Sequence, residues 1–472
     1  MHNLTDLIET DQSIPVAGIT SDSRQVRKNY VFAALQGTKV KGADYIHDAI
    51  HLGARAILAE PGTELPKDSR GAVLVESDNP RKSLAQMAAK FYGQQPKTIV
   101  AVTGTNGKTS VANFCQQLWD LSGVEKNASM GTLGVRGKSM VKSGSMTTPD
   151  PVSLHATLAD MAAVGITHLA IEASSHGLHQ YRLDGVKMTA AAFTNLSHDH
   201  LDYHGDMDSY FQSKARLFSE VTAKGSKAVI NADDERYPEL KSICEAAELD
   251  VISYGETGED ILLKKHEVKP EGQEIEIIVN GEEYVLTLPL VGDFQVMNAL
   301  CALGLTGVDP KLLEQLQGVP GRLQLVPGHP KGAVYVDYAH TPDALEHVLA
   351  ALRTHTQSRL ICIIGCGGDR DMKKRAVMGR IAAEKSDMPI IADDNPRSEN
   401  PEAIRKAMME FDADYKEIGD RKEAIQWAIK NMEDGDVLVI AGKGHEEGQE
   451  IAGTIHPFND FNEAHLAIEG IN

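Results

Sequence analysis

The chain has 472 residues, long enough for about three domains at roughly 150 residues each. Apolar residues make up 42% and charged residues 24%, an ordinary globular composition that excludes disordered, collagen-like and disulfide-scaffold classes. With 47 basic and 67 acidic residues the net charge is −20, which repels phosphate backbones and excludes a dominant nucleic-acid role.

The opening segment, Met1 to Thr10, carries acids where a signal peptide needs a basic segment followed by an apolar one. The longest apolar run, around Leu360 to Cys366, falls far short of the ~18 residues of a membrane span. The five cysteines, Cys115, Cys244, Cys301, Cys362 and Cys366, are scattered and odd in number, as in reduced intracellular proteins. The expectation is a soluble, cytoplasmic protein without membrane insertion.

In chain order, short strand signals at Tyr30 to Leu35 and Arg55 to Glu60 flank a helical stretch from about Tyr45 to Leu52, a small N-terminal α/β domain over 1–95. After the punctuation at Gly93 to Lys97, the run Thr98 to Thr103 reads as a buried strand followed by a Gly-rich turn and a helix from about Lys108. Strand signals recur at His168 to Ile171, Ala190 to Asn195 and Ala228 to Asn231, the pattern of a mostly parallel sheet wrapped by helices. A central P-loop ATPase-like domain over 96–322 follows, closed by the Pro-Gly turn of Val319 to Arg322. Beyond it, strands at Leu360 to Ile364, Pro389 to Ala392 and Asp436 to Ala441 alternate with helices, a third α/β domain over 323–472. There Asn400 caps a helix with Pro401 at its first position, and Asp420 with Glu423 makes a second capping pair.

Gly104-Thr105-Asn106-Gly107-Lys108-Thr109 sits between strand and helix. Glycines let backbone N–H groups wrap phosphate oxygens, Lys108 reaches the terminal phosphates and Thr109 can ligate Mg²⁺. Val102 stands where the full eight-residue pattern has its first Gly, and a chance Gly-rich turn is the bland alternative to ATP binding. Glu172, ending an apolar strand, is a candidate metal ligand, with a solvated strand-end carboxylate as its alternative. The stretch from Thr194 to His204 crowds His198, Asp199, His200, Asp202 and His204 together. With no Cys and a nucleotide loop nearby, Mg²⁺ fits better than zinc, and most of these side chains are structural.

Two patterns are decoys. Gly365-Cys-Gly-Gly-Asp-Arg370 imitates a dinucleotide loop, but Arg370 replaces its last Gly and points to an anion ligand instead. His445-Glu446 begins like a zinc-protease helix, yet position 449 is Gln. Asp394-Asn395-Pro396-Arg397 follows an apolar strand, and its stiffened turn preorganises Arg397 for a carboxylate.

Together these segments resemble the Mur ligases of peptidoglycan synthesis, most closely the MurE-type members that add the third stem-peptide residue. The resemblance covers the whole length and is carried by Gly104 to Ser110, Glu172 to Gln180, Asn195 to His204, Val319 to Arg322, Asp337 to Pro342, Gly365 to Asp371, Asp394 to Arg397 and Gly442 to Glu446. It implies a central ATPase domain over 96–322, a C-terminal Rossmann-like domain over 323–472 that brings the incoming amino acid, and an N-terminal domain that holds the uridine nucleotide through Ser21, Ser23, Thr38, Lys39 and Val40. Thr147, Thr148, Ser174, Gln180 and Arg182 correspond to contacts with the muramoyl peptide. Asn298, Arg322 and Asp337 join Gly104 to Ser110 at ATP. Lys214, which composition alone would leave as a solvated helical lysine, matches the family's carbamylated lysine, a metal ligand beside Thr109, Glu172 and His200.

Arg397 is the discriminating position, because within the family Asp-Asn-Pro-Arg accompanies meso-diaminopimelate, whose distal carboxylate L-lysine lacks. Arg370, Asp394, Asn395, Pro396, Gly442 and Glu446 match the remaining amino-acid contacts, with Glu446 suited to the distal ammonium. Gly448 departs from the family, where many relatives carry an aromatic.

The activity implied is ATP-dependent addition of meso-2,6-diaminopimelate to the D-glutamate γ-carboxylate of UDP-N-acetylmuramoyl-L-alanyl-D-glutamate, with Mg²⁺ and a CO₂-derived carbamate on Lys214, in a monomer acting on small molecules. Lys108, Lys214 and His200 are its candidate catalytic residues. The alternatives are an L-lysine-adding ligase, a folylpolyglutamate synthetase-like ligase and a non-catalytic nucleotide sensor. Arg397 argues against lysine, and the N-terminal block argues against folate.

Overall fold

The computed structural model describes residues 2–37, 40–144, 146–269 and 272–471, so Thr38 and Lys39 lie outside the described residues. It divides into two compact units, 1–262 with 300–309, and 263–299 with 310–472. Among the described residues no helix is long and apolar enough to cross a membrane.

The first unit begins with a parallel sheet in the order Gly18–Thr20, Tyr30–Ala33, Ala54–Ala59, Val73–Glu76. The strand expected to reach Leu35 stops at Ala33, and the expected helix is Ile46–Leu52, entered through a 3₁₀ turn at Gly42–Tyr45. The larger sheet runs Met140–Lys142, Gly134–Gly137, Asn127–Gly131, His168–Glu172, Thr98–Thr103, Ala190–Phe193, Lys227–Asn231, Asp250–Gly255. From Asn127–Gly131 onward this part is parallel. Its central strands are almost wholly buried, which explains their continuous apolar runs in place of alternation. The core gathers Ile99, Ala101, Leu154, Leu169, Ile171, Phe193 and Phe211 between sheet and helices. The antiparallel ribbon Gly134–Gly137 with Met140–Lys142 went unanticipated, because three or four residues carry too little pattern.

Register places the chemistry. Glu172 lies beside Val102, so both strands end just before Gly104, at the carboxyl edge where open α/β sheets bind ligands. The strand expected to run to Asn195 ends at Phe193, and the chain then turns toward the Gly-rich loop.

In the second unit the sheet order is Gln324–Val326, Gly332–Asp337, Asp436–Ala441, Leu360–Ile364, Met388–Ile391, Lys416–Glu417, parallel but for its first strand. Asn400 caps Pro401–Met408 through the Glu402 and Ala403 N–H groups, and Asp420 accepts from the Glu423 N–H. Helices cover both faces, with Leu349, Cys362 and Met378 in one core and Ile363, Ile425 and Leu438 in the other. The antiparallel hairpin Gly272–Val279 with Glu282–Leu288 is a further element not anticipated from sequence. The α/β class with mostly parallel sheets is as expected.

Candidate active site

The Gly-rich loop leads into the helix Lys108–Leu121. It is laced to the segment after Phe193: the Asn106 N–H donates to Asn195 Oδ1 (2.9 Å), Thr194 Oγ1 donates to Asn106 O (2.6 Å), and the Thr105 N–H donates to Asn195 O (2.8 Å). Lys108 Nζ donates to Gly104 O at 2.9 Å and Thr105 O at 2.8 Å, so its ammonium curls over the loop at the helix N-terminus. That is the arrangement in which backbone donors and a lysine meet phosphate.

Glu172 is buried, and its carboxylate accepts from Thr109 Oγ1 (3.1 Å), the Thr132 N–H (2.8 Å) and Thr132 Oγ1 (3.1 Å). Gly131 makes this possible, since a Cβ there would lie 2.0 Å from Glu172 Oε1. Thr132 Oγ1 also lies 3.1 Å from Thr147 Oγ1. Thr148 Oγ1 donates to Glu172 O and in turn accepts from the Ser174 N–H and Oγ. Arg182 donates to Thr148 O at 2.7 Å and to Gln180 Oε1, while Gln180 Nε2 donates to Tyr203 Oη. Thr148, Ser174, Gln180 and Arg182 thus form a network rooted on the Glu172 backbone carbonyl, while Thr147 reaches the Glu172 carboxylate through Thr132.

Lys214 lies on the helix Met207–Arg216 and is 1% exposed. Its Nζ donates to Gly104 O at 2.7 Å and sits 4.2 Å from the Tyr210 ring centroid. Burial first, then the Lys108 charge, outweigh the help of Asp199 and hold the amine well below the ordinary lysine range. The helix pattern could not reveal this, because tertiary packing buries the side chain.

His200, at φ 54°, is exposed; its ring packs 4.8 Å from that of His176, and Asp199 lies within 3.4 Å. Among the described residues it makes no hydrogen bond with Glu172, and no group of three His, Cys, Asp or Glu is arranged to hold a metal. His204 bonds Ser175 and Ser213; burial, then the neighbouring His176, hold it down to about 4. Ser21, Ser23 and Val40 lie at the rim of the small sheet, with Val40 exposed and its carbonyl accepting from the Gly37 N–H at 3.0 Å.

In the second unit Asp337 is buried and accepts from the Leu323 and Ala339 N–H groups at 2.7 and 2.8 Å. Burial raises its pKa despite the Arg322 charge. Arg322 stacks 4.9 Å from the Tyr338 ring centroid, and Asn298 donates to Gln295.

The other second-unit residues gather where strands Leu360–Ile364, Met388–Ile391 and Asp436–Ala441 end. Asn395 is their hub: its Oδ1 accepts from Lys443 Nζ (3.0 Å) and the Glu450 N–H (2.9 Å), and its Nδ2 donates to Glu446 Oε2 (2.9 Å). Lys443 Nζ also pairs with Glu446 Oε2 at 2.9 Å. Burial opposes ionisation of Glu446, but the charge and hydrogen bond of Lys443 prevail and hold its pKa below the ordinary range. Asp394 is raised by burial despite Arg421 and Lys443. Gly368 lets the turn close on it, because a Cβ there would lie 2.0 Å from Pro396 O. The glycines of the false dinucleotide loop therefore make room for the Asp394–Arg397 turn. Arg370 is exposed beside it, and Gly442 stands at φ 112° against Asp394.

The Mur ligase family catalytic domain matches residues 15–92, the Mur ligase middle domain 102–306, and the Mur ligase glutamate ligase domain 321–444. A UDP-N-acetylmuramoyl-L-alanyl-D-glutamate–2,6-diaminopimelate ligase of Caulobacter vibrioides is 48% identical over 471 residues, covering 97% of this chain and 96% of its own. The chain belongs to the Mur ligase family.

A protein of the same description from Rhizobium meliloti is 49% identical over 467 residues, covering 97% and 95%. A solved structure of such a ligase matches this Mur ligase with a TM-score of 0.73 at 34% identity, over 100% of this chain and 99% of that one. The MurF ligase of Thermotoga maritima in complex with ADP shares the fold, with a TM-score of 0.60 at 18% identity over 96% and 98%.

Three residues of this Mur ligase escaped the sequence reading. Thr132 holds Glu172, Lys443 holds Glu446 and Asn395, and Arg421 forms a fully buried bidentate pair with Asp460 while donating to Ala441 O just before Gly442. Lys443 stood inside a quoted motif and could have been found as the one basic side chain of Gly442 to Glu446 able to balance its acid. Thr132 and Arg421 sit in segments with no such signal.

Proposed function

We propose that this Mur ligase joins meso-2,6-diaminopimelate to the D-glutamate γ-carboxylate of UDP-N-acetylmuramoyl-L-alanyl-D-glutamate at the expense of ATP, in peptidoglycan precursor synthesis. One observation carries the choice of amino acid: Arg397, two residues beyond Asn395 and bonded to Gly368 O, and Glu446, bonded to the Asn395 amide, put a cation and an anion at the same strand ends, complementary to a distal centre bearing both carboxylate and ammonium. Residues 1–95 take the uridine nucleotide through Ser21, Ser23 and the Thr38–Val40 segment, 96–322 ATP, and 323–472 the amino acid. The enzyme is a cytoplasmic monomer in this reading.

The γ-carboxylate attacks the γ-phosphate to give an acyl phosphate and ADP, and the amine of diaminopimelate then displaces phosphate. Anion meets anion in the first step, so positive charge at the transferring group lowers the barrier. Lys108 supplies that charge from the helix N-terminus. Thr109 and Glu172 offer hard oxygen donors 3.1 Å apart with no thiol beside them, a set that fits Mg²⁺. When bound, the ion adds charge neutralisation at the phosphates. Thr147, Thr148, Ser174, Gln180 and Arg182 orient the peptide end of the UDP substrate. Lys214 has the amine that carbamate formation requires, held against Gly104 O where burial and the Lys108 charge favour its uncharged form; bonding of Nζ to CO₂ with loss of a proton converts it to an anion able to join Glu172 and His200 as a ligand.

A substrate panel tests the assignment. Phosphate release should require both the UDP-dipeptide and an amino acid, with diaminopimelate preferred over lysine. Arg397→Ala should lower kcat/KM for diaminopimelate by about 2–4 kcal/mol, a factor of roughly 30–1000, because a bound carboxylate loses its charged partner. Unchanged selectivity between the two amino acids would refute the role of that arginine.

A further inference from the structure

The strands Gly448–Ile451 and Thr454–Pro457 form a two-stranded hairpin, an element that is marginal in water by itself. It is tied down on the Asp394–Arg397 turn. The Arg397 N–H donates to Glu450 O (3.0 Å), the Ala452 N–H to Arg397 O (2.8 Å), the Glu450 N–H to Asn395 Oδ1 (2.9 Å) and Gln449 Nε2 to Asp394 O (2.6 Å). These bonds hold Arg397 at φ 51°, a left-handed conformation that a bulky side chain seldom adopts without support.

The Glu450 carboxylate then accepts from Arg397 Nε at 3.1 Å, and Arg397 Nη1 donates to Gly368 O at 2.8 Å. A guanidinium carries five N–H donors. These two bonds use the Nε side and one Nη1 proton, and among the described residues no hydrogen bond forms at Nη2. With Nη2 unbonded among the described residues and one of the two Nη1 protons left over, the guanidinium keeps N–H donors for a carboxylate.

We infer that Glu450 is a positioning residue that determines specificity: by clamping Nε it fixes the guanidinium with its two-pronged edge toward the incoming distal carboxylate. This rests on the reading of Arg397 as the diaminopimelate-binding arginine. A free arginine side chain loses rotamer freedom when it is fixed, and Glu450 removes part of that loss before the ligand arrives. Its own negative charge is 39% exposed and screened by water, so the repulsion it exerts on a second carboxylate is small. Lysine, with no second carboxylate, gains nothing from the arrangement.

The test is steady-state phosphate release by the full-length enzyme with the UDP-dipeptide and ATP, varying diaminopimelate or lysine, for wild type, Glu450→Ala, Glu450→Asp and Glu450→Gln. Glu450→Ala and Glu450→Asp should raise KM for diaminopimelate about tenfold with kcat within about twofold, since alanine lacks the acceptor and aspartate is a methylene short. Glu450→Gln should stay within about threefold of wild type, because its amide oxygen still accepts from Nε. Values of kcat/KM for lysine should be the same in all four proteins. An unchanged KM in Glu450→Ala, an equal loss toward lysine, or a Glu450→Gln as impaired as Glu450→Ala would each overturn the inference. A wild-type enzyme that releases no phosphate with diaminopimelate would overturn the functional reading beneath it.

Discussion

Lys214 in the first unit and Lys443 in the second are both shut away from solvent, at 1% and 0% exposure, and differ in what faces them. Lys443 has the Glu446 carboxylate and the Asn395 amide oxygen, which complete the coordination of an ammonium. Lys214 has a backbone carbonyl and an aromatic face, with the like charge of Lys108 nearby, and among the described residues it forms no salt bridge. A buried lysine bonded to a carboxylate and an amide oxygen is fixed in place and shapes a pocket. A buried lysine with only a carbonyl and a ring beside it is shifted toward its uncharged form.

The contrast breaks most visibly at Lys214. Lys214→Ala should lower kcat on the order of 10²–10³-fold, the cost of removing an electrostatic stabiliser from a closed site. Formate or acetate should restore part of the rate if a carbamate forms on Lys214, by taking its place. Normal folding and Mg²⁺ binding with no rescue by any short acid would count against a carbamate there.

At Lys443 the effect should fall on stability. Lys443→Met leaves Glu446 facing Asn395 without its cation and should cost about 3 kcal/mol, the low end for a broken buried pair because Glu446 keeps some solvent contact. Lys443→Met combined with Glu446→Gln should recover a good part of that loss. Thermal midpoints at one scan rate across the four proteins of the cycle measure it, and additive losses would show that the two side chains are not coupled.

The smallest effect concerns the surroundings of Lys214. His204 is held at about 4 against an ordinary 6.5, so the folded state keeps it neutral while the unfolded chain takes a proton. Its contribution is intact above 6.5 and lost as pH falls from there to about 4. His204→Gln should therefore lose less midpoint temperature than wild type between pH 7 and pH 5. Parallel melting curves at the two pH values would contradict the assignment.

These two regions also differ in how much of them could be read from residues. The Gly104–Thr109 loop was legible because glycines, a lysine and a strand-to-helix transition are local properties, and the Asn400 and Asp420 caps were legible for the same reason. Glu172 could be placed at a strand end, but not its grip by Thr132, which comes from a neighbouring strand end 40 residues earlier in the chain. The false dinucleotide pattern at Gly365 could be rejected from Arg370, whereas the true use of Gly368, to admit Pro396, needed the two loops side by side.

Sequence by itself determined the α/β class, the main parallel strands and the helices between them, the Gly-rich turn of Gly104 to Thr109 and the segments that supply charge, since each depends on spacing along the chain. Only the tertiary structure decided which charges are balanced. The burial of Lys214 against Gly104 O, the pairing of Lys443 with Glu446 and the clamp of Glu450 on Arg397 depend on the local dielectric and on partners brought from distant segments, which no run of adjacent residues encodes.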